Sequence, residues 1–367
     1  MSGPRPRTGV LDIPLYTPGK SPAAFERDIV KLSANENALG CSPLSRAAFL
    51  EAAGGLSLYP DMYARALRDA VGARYGLDPK RLVFGAGSDE IFTLACRAFL
   101  SPGDNAVQPE YGFAAWEIAT RAAGGEMLCA KERDFHVDVD ALLRRVNRRT
   151  RLVFVANPAN PTGTAISFSE IERLHNGLRK DVLLVLDGAY AEFAGADDYA
   201  REFALAAEAQ NILVTRTFSK LYGLAALRIG WGFGSAEITG ALERVRAPFN
   251  TSAPSQAAAA AALADTQFHA QSVAYVEEAR ADLSSFLSGF GVRVLPSAAN
   301  FVTILFEGDD NVQARKVESR LASAGVLVRG LRNYAIAEGL RITIGPPESL
   351  ARFKTAFTEI IEDMRRA

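Results

Sequence analysis

The chain lacks what would tie it to a membrane, a polyanion or an oxidising compartment. No window of its 367 residues holds the eighteen or more continuous apolar residues of a spanning helix. Lys and Arg number 41 against 42 Asp and Glu, a net charge of -1. That balance excludes the broad basic field that nucleic acid or anionic lipid demands and points to small, neutral or anionic partners. The three cysteines, Cys41, Cys96 and Cys129, are scattered and form no C-x-x-C pair. They read as reduced thiols, mostly core filler, of a cytoplasmic protein. His136, His175 and His269 lie far apart, and there is no H-E-x-x-H, no G-x-x-x-x-G-K-[ST] and no G-x-S-x-G. Metal catalysis, a P-loop and a serine triad are therefore not expected. The N-terminus, MSGPRPRTGVLDIPLYTPGK, has no apolar h-region; it reads as an arm and not as a signal peptide.

What is present is a soluble globular composition, 49% hydrophobic and 23% charged, on a chain long enough for two domains. From about residue 80 to 235, RLVF, DNAVQ, RLVFVA, DVLLVLD, NILVT and IGWGFG are almost continuously apolar, as strands buried on both faces are. Amphipathic segments separate them. Ser88 precedes two acids and IFTLACRAFL, and Ser169 with Glu172 has the spacing of a capping box. The rhythm predicts a large α/β domain with a mostly parallel sheet between helix layers. Pro248 and Pro254 mark a shift to long helices and then to VRVLP, NFVTILF, VLVRG and LRITI, a smaller α+β C-terminal domain. The expected division is an arm over 1–30, the large domain over 31–247 and the small domain over 248–367. The six-alanine run at 257–262 reads as a tightly packed helix.

FGAGSDE has two glycines between a strand and a helix, as a dinucleotide fingerprint would, but Glu90 stands at the third glycine position. A glutamate there opposes a pyrophosphate. The turn still offers free N–H groups to one phosphate monoester. DVLLVLD ends in Asp187, which a doubly wound sheet aims at its ligand crevice, although an aspartate there also serves as a helix cap. ANPANPTG by itself is a turn. In TFSKLYGLAALRIGW, Lys220 and Arg228 are two cations in a stretch of small and apolar residues. A lysine kept from water has a lowered pKa and becomes a nucleophile toward aldehydes, while Thr217, Ser219 and Arg228 suit a phosphate. Pyridoxal phosphate joins these demands: an aldehyde for the lysine, a phosphate for the cradle, and a pyridine nitrogen for Asp187.

In KLSANEN, LSLYPD, FGAGSDEIF, PEYGF, ANPANPTG, LDGAYAEF, TFSKLYGLAALRIGW, SAANFV, LVRG and LRITIG, from about Leu11 to the C-terminus, the sequence resembles the fold type I aminotransferases, and among them the histidinol-phosphate aminotransferase subfamily. The resemblance implies Lys220 as the Schiff-base lysine and general base, Asp187 on the pyridine nitrogen, Tyr190 and Asn160 on the phenolic oxygen, and Tyr111 stacked on the ring. It implies a phosphate site from Gly87, Ser88, Asp89, Thr217, Ser219 and Arg228, completed by Tyr59 of the other subunit of a homodimer. For substrate it implies Arg341 on a carboxylate and Arg329 with Tyr16, the latter from the partner chain, on a phosphate, with Asn35 nearby.

The departures are Gly188, where many relatives have Glu or Ala, Ala159 in the turn, Ala38, and the unfamiliar RGLRNYAIAEG. The leading expectation is transfer of an amino group between glutamate and imidazole-acetol phosphate. The competitors are an aromatic amino acid aminotransferase, a decarboxylase of a phosphorylated amino acid, a non-enzymatic cofactor-binding regulator and, furthest off, a Rossmann dehydrogenase.

Overall fold

The computed structural model describes residues 6–7, 9–16, 18–19, 28–306 and 311–366. Its strands are β1 (Val30–Lys31), β2 (Leu82–Gly85), β3 (Asn105–Pro109), β4 (Glu126–Ala130), β5 (Thr150–Ala156), β6 (Leu183–Asp187), β7 (Ile212–Thr217), β8 (Gly230–Gly234), β9 (Arg293–Val294), β10 (Phe301–Leu305), β11 (Val326–Leu327), β12 (Arg329–Gly330) and β13 (Gly339–Thr343). Seven of them form one sheet in the order β2-β8-β7-β6-β5-β3-β4. All its pairings are parallel except those of β8, which runs antiparallel to both neighbours.

The apolar runs are continuous because successive side chains enter different cores. Val153, Val155, Leu184, Leu186, Ile212 and Val214 join one cluster, and Leu152, Phe154, Leu183, Val185 and Leu213 join the other. This is the period-2 alternation of a strand with helices on both faces. The exception is β4, an edge strand whose half-exposed EMLCA carries no such run, and it was not foreseen. The predicted capping box also fails: the helix Phe168–Gly177 starts after Ser167, two residues early. Starting there buries Phe168, and Ser169 Oγ pairs instead with Ser167 Oγ at 2.8 Å.

The C-terminal unit holds the antiparallel sheet β12-β13-β10-β9. The short β1 pairs in parallel with β11, so the segment that opens the large domain in sequence is tied to the small one. The alanine-rich helix Ala253–Ala264 packs on the helices Pro43–Ala52 and Arg65–Tyr75. Ala258, Ala259 and Ala262 are fully buried there, their small side chains allowing close approach. That helix, although beyond residue 248, therefore packs with the large unit. The carboxyl ends of β2, β5, β6 and β7 supply or lead directly into residues that line one crevice, where open α/β sheets carry ligands.

Candidate active site

After β2 the chain turns through Gly87, whose φ of +84° is left-handed, and enters the helix Ser88–Phe99. A Cβ at Gly87 would lie 2.4 Å from an Arg228 guanidinium nitrogen, and one at Gly230 would lie 2.5 Å from the Ser88 backbone nitrogen. Glycine is thus required twice, for conformation and for close approach. Glu90, the residue that spoils a dinucleotide fingerprint, turns back on its own loop: its Oε2 accepts from the Ala86 N–H at 2.5 Å and from Asn250 Nδ2 at 2.8 Å. The first-turn N–H groups of this helix have no partner within the helix and are available to an anion.

The opposite wall of this cradle comes from the end of β7. Thr217 Oγ1 donates to Ser219 Oγ at 3.0 Å and accepts from the Ser219 N–H at 3.1 Å. Arg228 Nη1 donates to Ser219 Oγ at 3.3 Å, and Nη2 meets Asp89 Oδ2 at 3.1 Å. Ser88, Asp89, Thr217, Ser219 and Arg228 all line one cavity of about 320 Å³, and Gly87 supports it from behind.

Lys220 enters the same cavity. Its Nζ donates to the Ala34 carbonyl at 3.1 Å and lies 5.7 Å from the centre of the Tyr190 ring. Burial, reinforced by the nearby Arg341 cation, lowers its pKa to about 8. Asp187, at the end of β6, accepts from the Ala189 N–H at 3.1 Å. Burial, and then the charge of Asp89, push its carboxyl up to about 7, while Arg216 pulls the other way. Tyr190 is held up by burial too, and its hydroxyl accepts from Asn35 Nδ2 at 2.9 Å.

Asn35 bridges the two units. Its N–H donates to Thr343 Oγ1 at 2.9 Å, and its Oδ1 accepts from the same hydroxyl at 3.1 Å. A φ of +56° suits asparagine, which tolerates the left-handed region better than most residues. Arg341, on β13, donates to Asn160 Oδ1 and, at 3.1 Å, to the Ser33 carbonyl. It lies 5.1 Å from the Phe301 ring, and its buried Nε has no partner. Arg329, also buried, hydrogen-bonds Tyr334, and both line the cavity with Tyr16 and Arg341.

Tyr111 and Tyr16 lie elsewhere than expected, while Tyr59, expected to serve the other subunit, stays outside its own chain's cavity. Tyr111 does not line the cavity; its ring stacks on Phe135 at 5.4 Å and packs against the cluster of Leu295, Leu331 and Ile336. Of the two aromatics in PEYGF, the one that does line it is Phe113, two residues on, because the chain turns at Gly112 before the next helix. Tyr59 is 83% exposed and stacks on Phe249 at 4.6 Å, outside the cavity of its own chain. Tyr16 was expected from a partner chain but lines the cavity of its own. Sequence reasoning missed Tyr334 and Phe113. The proximity of Tyr334 to Arg329 in LVRGLRNY was its only signal.

Among the described residues no group of three or more His, Cys, Asp or Glu could hold a metal ion, and no helix is long and apolar enough to cross a membrane. Fold and site together define a two-unit α/β protein whose one cavity is lined by a buried lysine of lowered pKa, a strand-end acid and a cluster of hydroxyls with an arginine. The model of the aminotransferase class I and II family matches residues 27–357, and the chain belongs to that family. It is 50% identical over 343 residues to histidinol-phosphate aminotransferase 1 of Caulobacter vibrioides, covering 94% of this chain and 96% of that protein. It is 48% identical over 350 residues to histidinol-phosphate aminotransferase of Rhodopseudomonas palustris, covering 95% and 96%. The crystal structure of histidinol-phosphate aminotransferase from Sinorhizobium meliloti in complex with pyridoxal-5'-phosphate superposes with a TM-score of 0.91 at 29% identity, covering 99% of each chain.

Proposed function

We propose that this protein is a pyridoxal-phosphate-dependent aminotransferase that exchanges an amino group between histidinol phosphate and 2-oxoglutarate. One observation carries the reading. A single cavity is lined by Lys220, by an acid at the end of one sheet strand, by an anion cradle at the end of the next and by two buried arginines.

The residues fit the cofactor. Ser88, Asp89, Thr217, Ser219 and Arg228 would hold its phosphate, Asp187 its ring nitrogen, and Tyr190 with Asn160 its phenolic oxygen; Phe113 would flank the ring in place of Tyr111. When bound, pyridoxal phosphate supplies an aldehyde that takes up an amino group and a ring that withdraws electrons from the adjoining carbon. Lys220, with a pKa near 8, keeps a useful fraction of neutral amine at neutral pH, both to bind the aldehyde and to carry a proton at Nζ. Asp187, once opposite a protonated ring nitrogen, is held as the carboxylate that its dry site otherwise resists.

Arg341 and Arg329 would bind the carboxylates of glutamate and, alternately, the phosphate of histidinol phosphate. The unpaired Nε of Arg341 leaves a donor for such an anion. Tyr16, Phe113 and Tyr334 provide aromatic walls for an imidazole.

The assembly would be a homodimer. Leu44, Leu50, Leu56, Leu58, Tyr59 and Tyr63 are exposed apolar residues close together in sequence, the composition of an interface and not of a solvated face. Tyr59 on that surface would reach the cofactor phosphate of the other subunit. A small-molecule biosynthetic enzyme with unbridged cysteines belongs in the cytoplasm.

The test is a half-reaction screen. Cofactor-loaded protein is mixed separately with histidinol phosphate, phenylalanine, tyrosine and glutamate, and the absorbance of the aldehyde form is followed. Histidinol phosphate and glutamate should convert it to the amine form fastest. Conversion by the aromatic acids and glutamate alone would replace the substrate assignment with the aromatic one.

A further inference from the structure

Arg216 lies on β7 between Thr215 and Thr217, so strand alternation turns it away from the cavity that Thr217 lines. Its guanidinium is 1% exposed and pairs with Glu202 at 2.9 Å, itself 2% exposed. Nη1 donates to the Thr215 carbonyl at 3.0 Å, the same oxygen that accepts the Gly188 N–H at 3.0 Å. The cation also sits 4.8 Å from the Phe203 ring. A Cβ on Gly188 would lie 1.8 Å from Nη1. The guanidinium therefore fills the volume that a side chain at residue 188 would need, directly behind the turn that presents Asp187 and Tyr190.

A surface arginine could swing away from such a methyl at little cost. This one cannot, because moving it would separate a fully buried ion pair. The polar surroundings extend further on the same side. Tyr75 Oη lies 2.5 Å from the Tyr222 hydroxyl, two residues after Lys220, and 3.5 Å from Glu192, two residues after Tyr190.

We infer that Arg216 is a positioning residue for the reaction: seated in the space that Gly188 leaves, it holds the Asp187–Tyr190 turn in place and sets the charge behind Asp187. The inference rests on reading Asp187 as the partner of the cofactor's ring nitrogen. The groups acting on Asp187 are Asp89 from the helix Ser88–Phe99, Arg216 from β7, the Thr215 hydroxyl and the Ala189 N–H. Lys220 and Tyr190 share its cavity. Of these, Arg216 is the cation that favours the carboxylate from the far side.

Removing Arg216 alone would strand a buried Glu202, so the informative variant removes both charges of the pair, Arg216→Met with Glu202→Met; Glu192, whose carboxyl burial already raises and which loses the same cation, then stays protonated beside Tyr75. Replacing a buried ion pair by apolar residues of similar volume is often neutral or stabilising for the fold. The cofactor dissociation constant is measured from pH 6 to 9 by titrating pyridoxal phosphate into cofactor-free protein. The parent should bind more weakly as pH falls through the Asp187 pKa. In the double variant that limb should move up by about one pH unit, with binding at pH 7 about tenfold weaker. Gly188→Ala should weaken binding in the parent and have no further effect in the double variant, where the guanidinium is gone.

A double variant whose pH profile superimposes on the parent's overturns the inference, as does a Gly188→Ala effect of equal size in both backgrounds. Asp187→Asn separates the two failures. If it weakens binding and the double variant does not, the inference alone is wrong. If it binds like the parent, the reading of Asp187 is wrong and the inference falls with it.

Discussion

Asn35 Nδ2 donates to the Tyr190 hydroxyl at 2.9 Å, and the same asparagine exchanges two further hydrogen bonds with Thr343 on β13. One side chain thus joins the strand-end turn of the large unit to the sheet of the small one. Asn35→Ala should leave the buried Tyr190 hydroxyl without its donor and cost about 1–3 kcal/mol of stability in a denaturant titration. A loss below a few tenths would mean that the bridge is dispensable.

Lys220 gives a pH dependence with a definite sign. Its folded-state pKa is lowered to about 8 from an ordinary 10.5, chiefly by burial and then by Arg341. The rate at which cofactor-free protein captures pyridoxal phosphate should therefore rise with pH around a midpoint near 8. Arg341→Gln should move that midpoint upward, because a repelling cation is gone. Between about pH 8 and 10 the unfolded chain holds the extra proton, so this group makes the folded state more stable as pH rises. A midpoint unmoved by Arg341→Gln would remove Arg341 from the account of that amine.

Asp187 carries the opposite sign. Its carboxyl is raised from 3.8 to about 7, so in the cofactor-free protein its ionisation opposes folding as pH climbs through that window. Asp187→Asn should stabilise the cofactor-free form at pH 8, by up to about 4 kcal/mol, while weakening cofactor binding. Thermal melts with and without cofactor check both halves. A variant less stable in both states would contradict the assignment of Asp187 to a site that needs the cofactor's charge.

The two aromatics of PEYGF divide the labour. Phe113→Leu should raise the cofactor dissociation constant with little change in melting temperature, whereas Tyr111→Leu should lower the melting temperature through its packing on Phe135. The reverse pattern would restore Tyr111 to the ring.

These residues also show how far the sequence could be read. The central strands were legible because both their faces are buried, which writes an unbroken apolar run; β4, half exposed at the edge, wrote none. That Lys220, Asp187, Arg228 and Ser219 share one cavity was legible because each sits at a strand end or turn where polar groups interrupt apolar sequence. Phe113 was missed because a turn at Gly112 decides which of two nearby aromatics faces inward, and no periodicity records that. Tyr334 lies in a single 3-10 turn, too short to carry a pattern. The Arg216–Glu202 pair joins a strand to a separate helix, so neither residue's neighbours in sequence reveal the other. The arm's Tyr16 was legible as a cavity residue, but which chain's cavity it lines depends on a path that local sequence does not encode.

The most direct measurement is borohydride reduction of the cofactor-loaded protein followed by peptide mass analysis. The account requires the added pyridoxyl phosphate mass on the peptide containing Lys220, and its disappearance in Lys220→Ala. The same mass on another lysine, or no adduct in protein that has bound the cofactor, would contradict it.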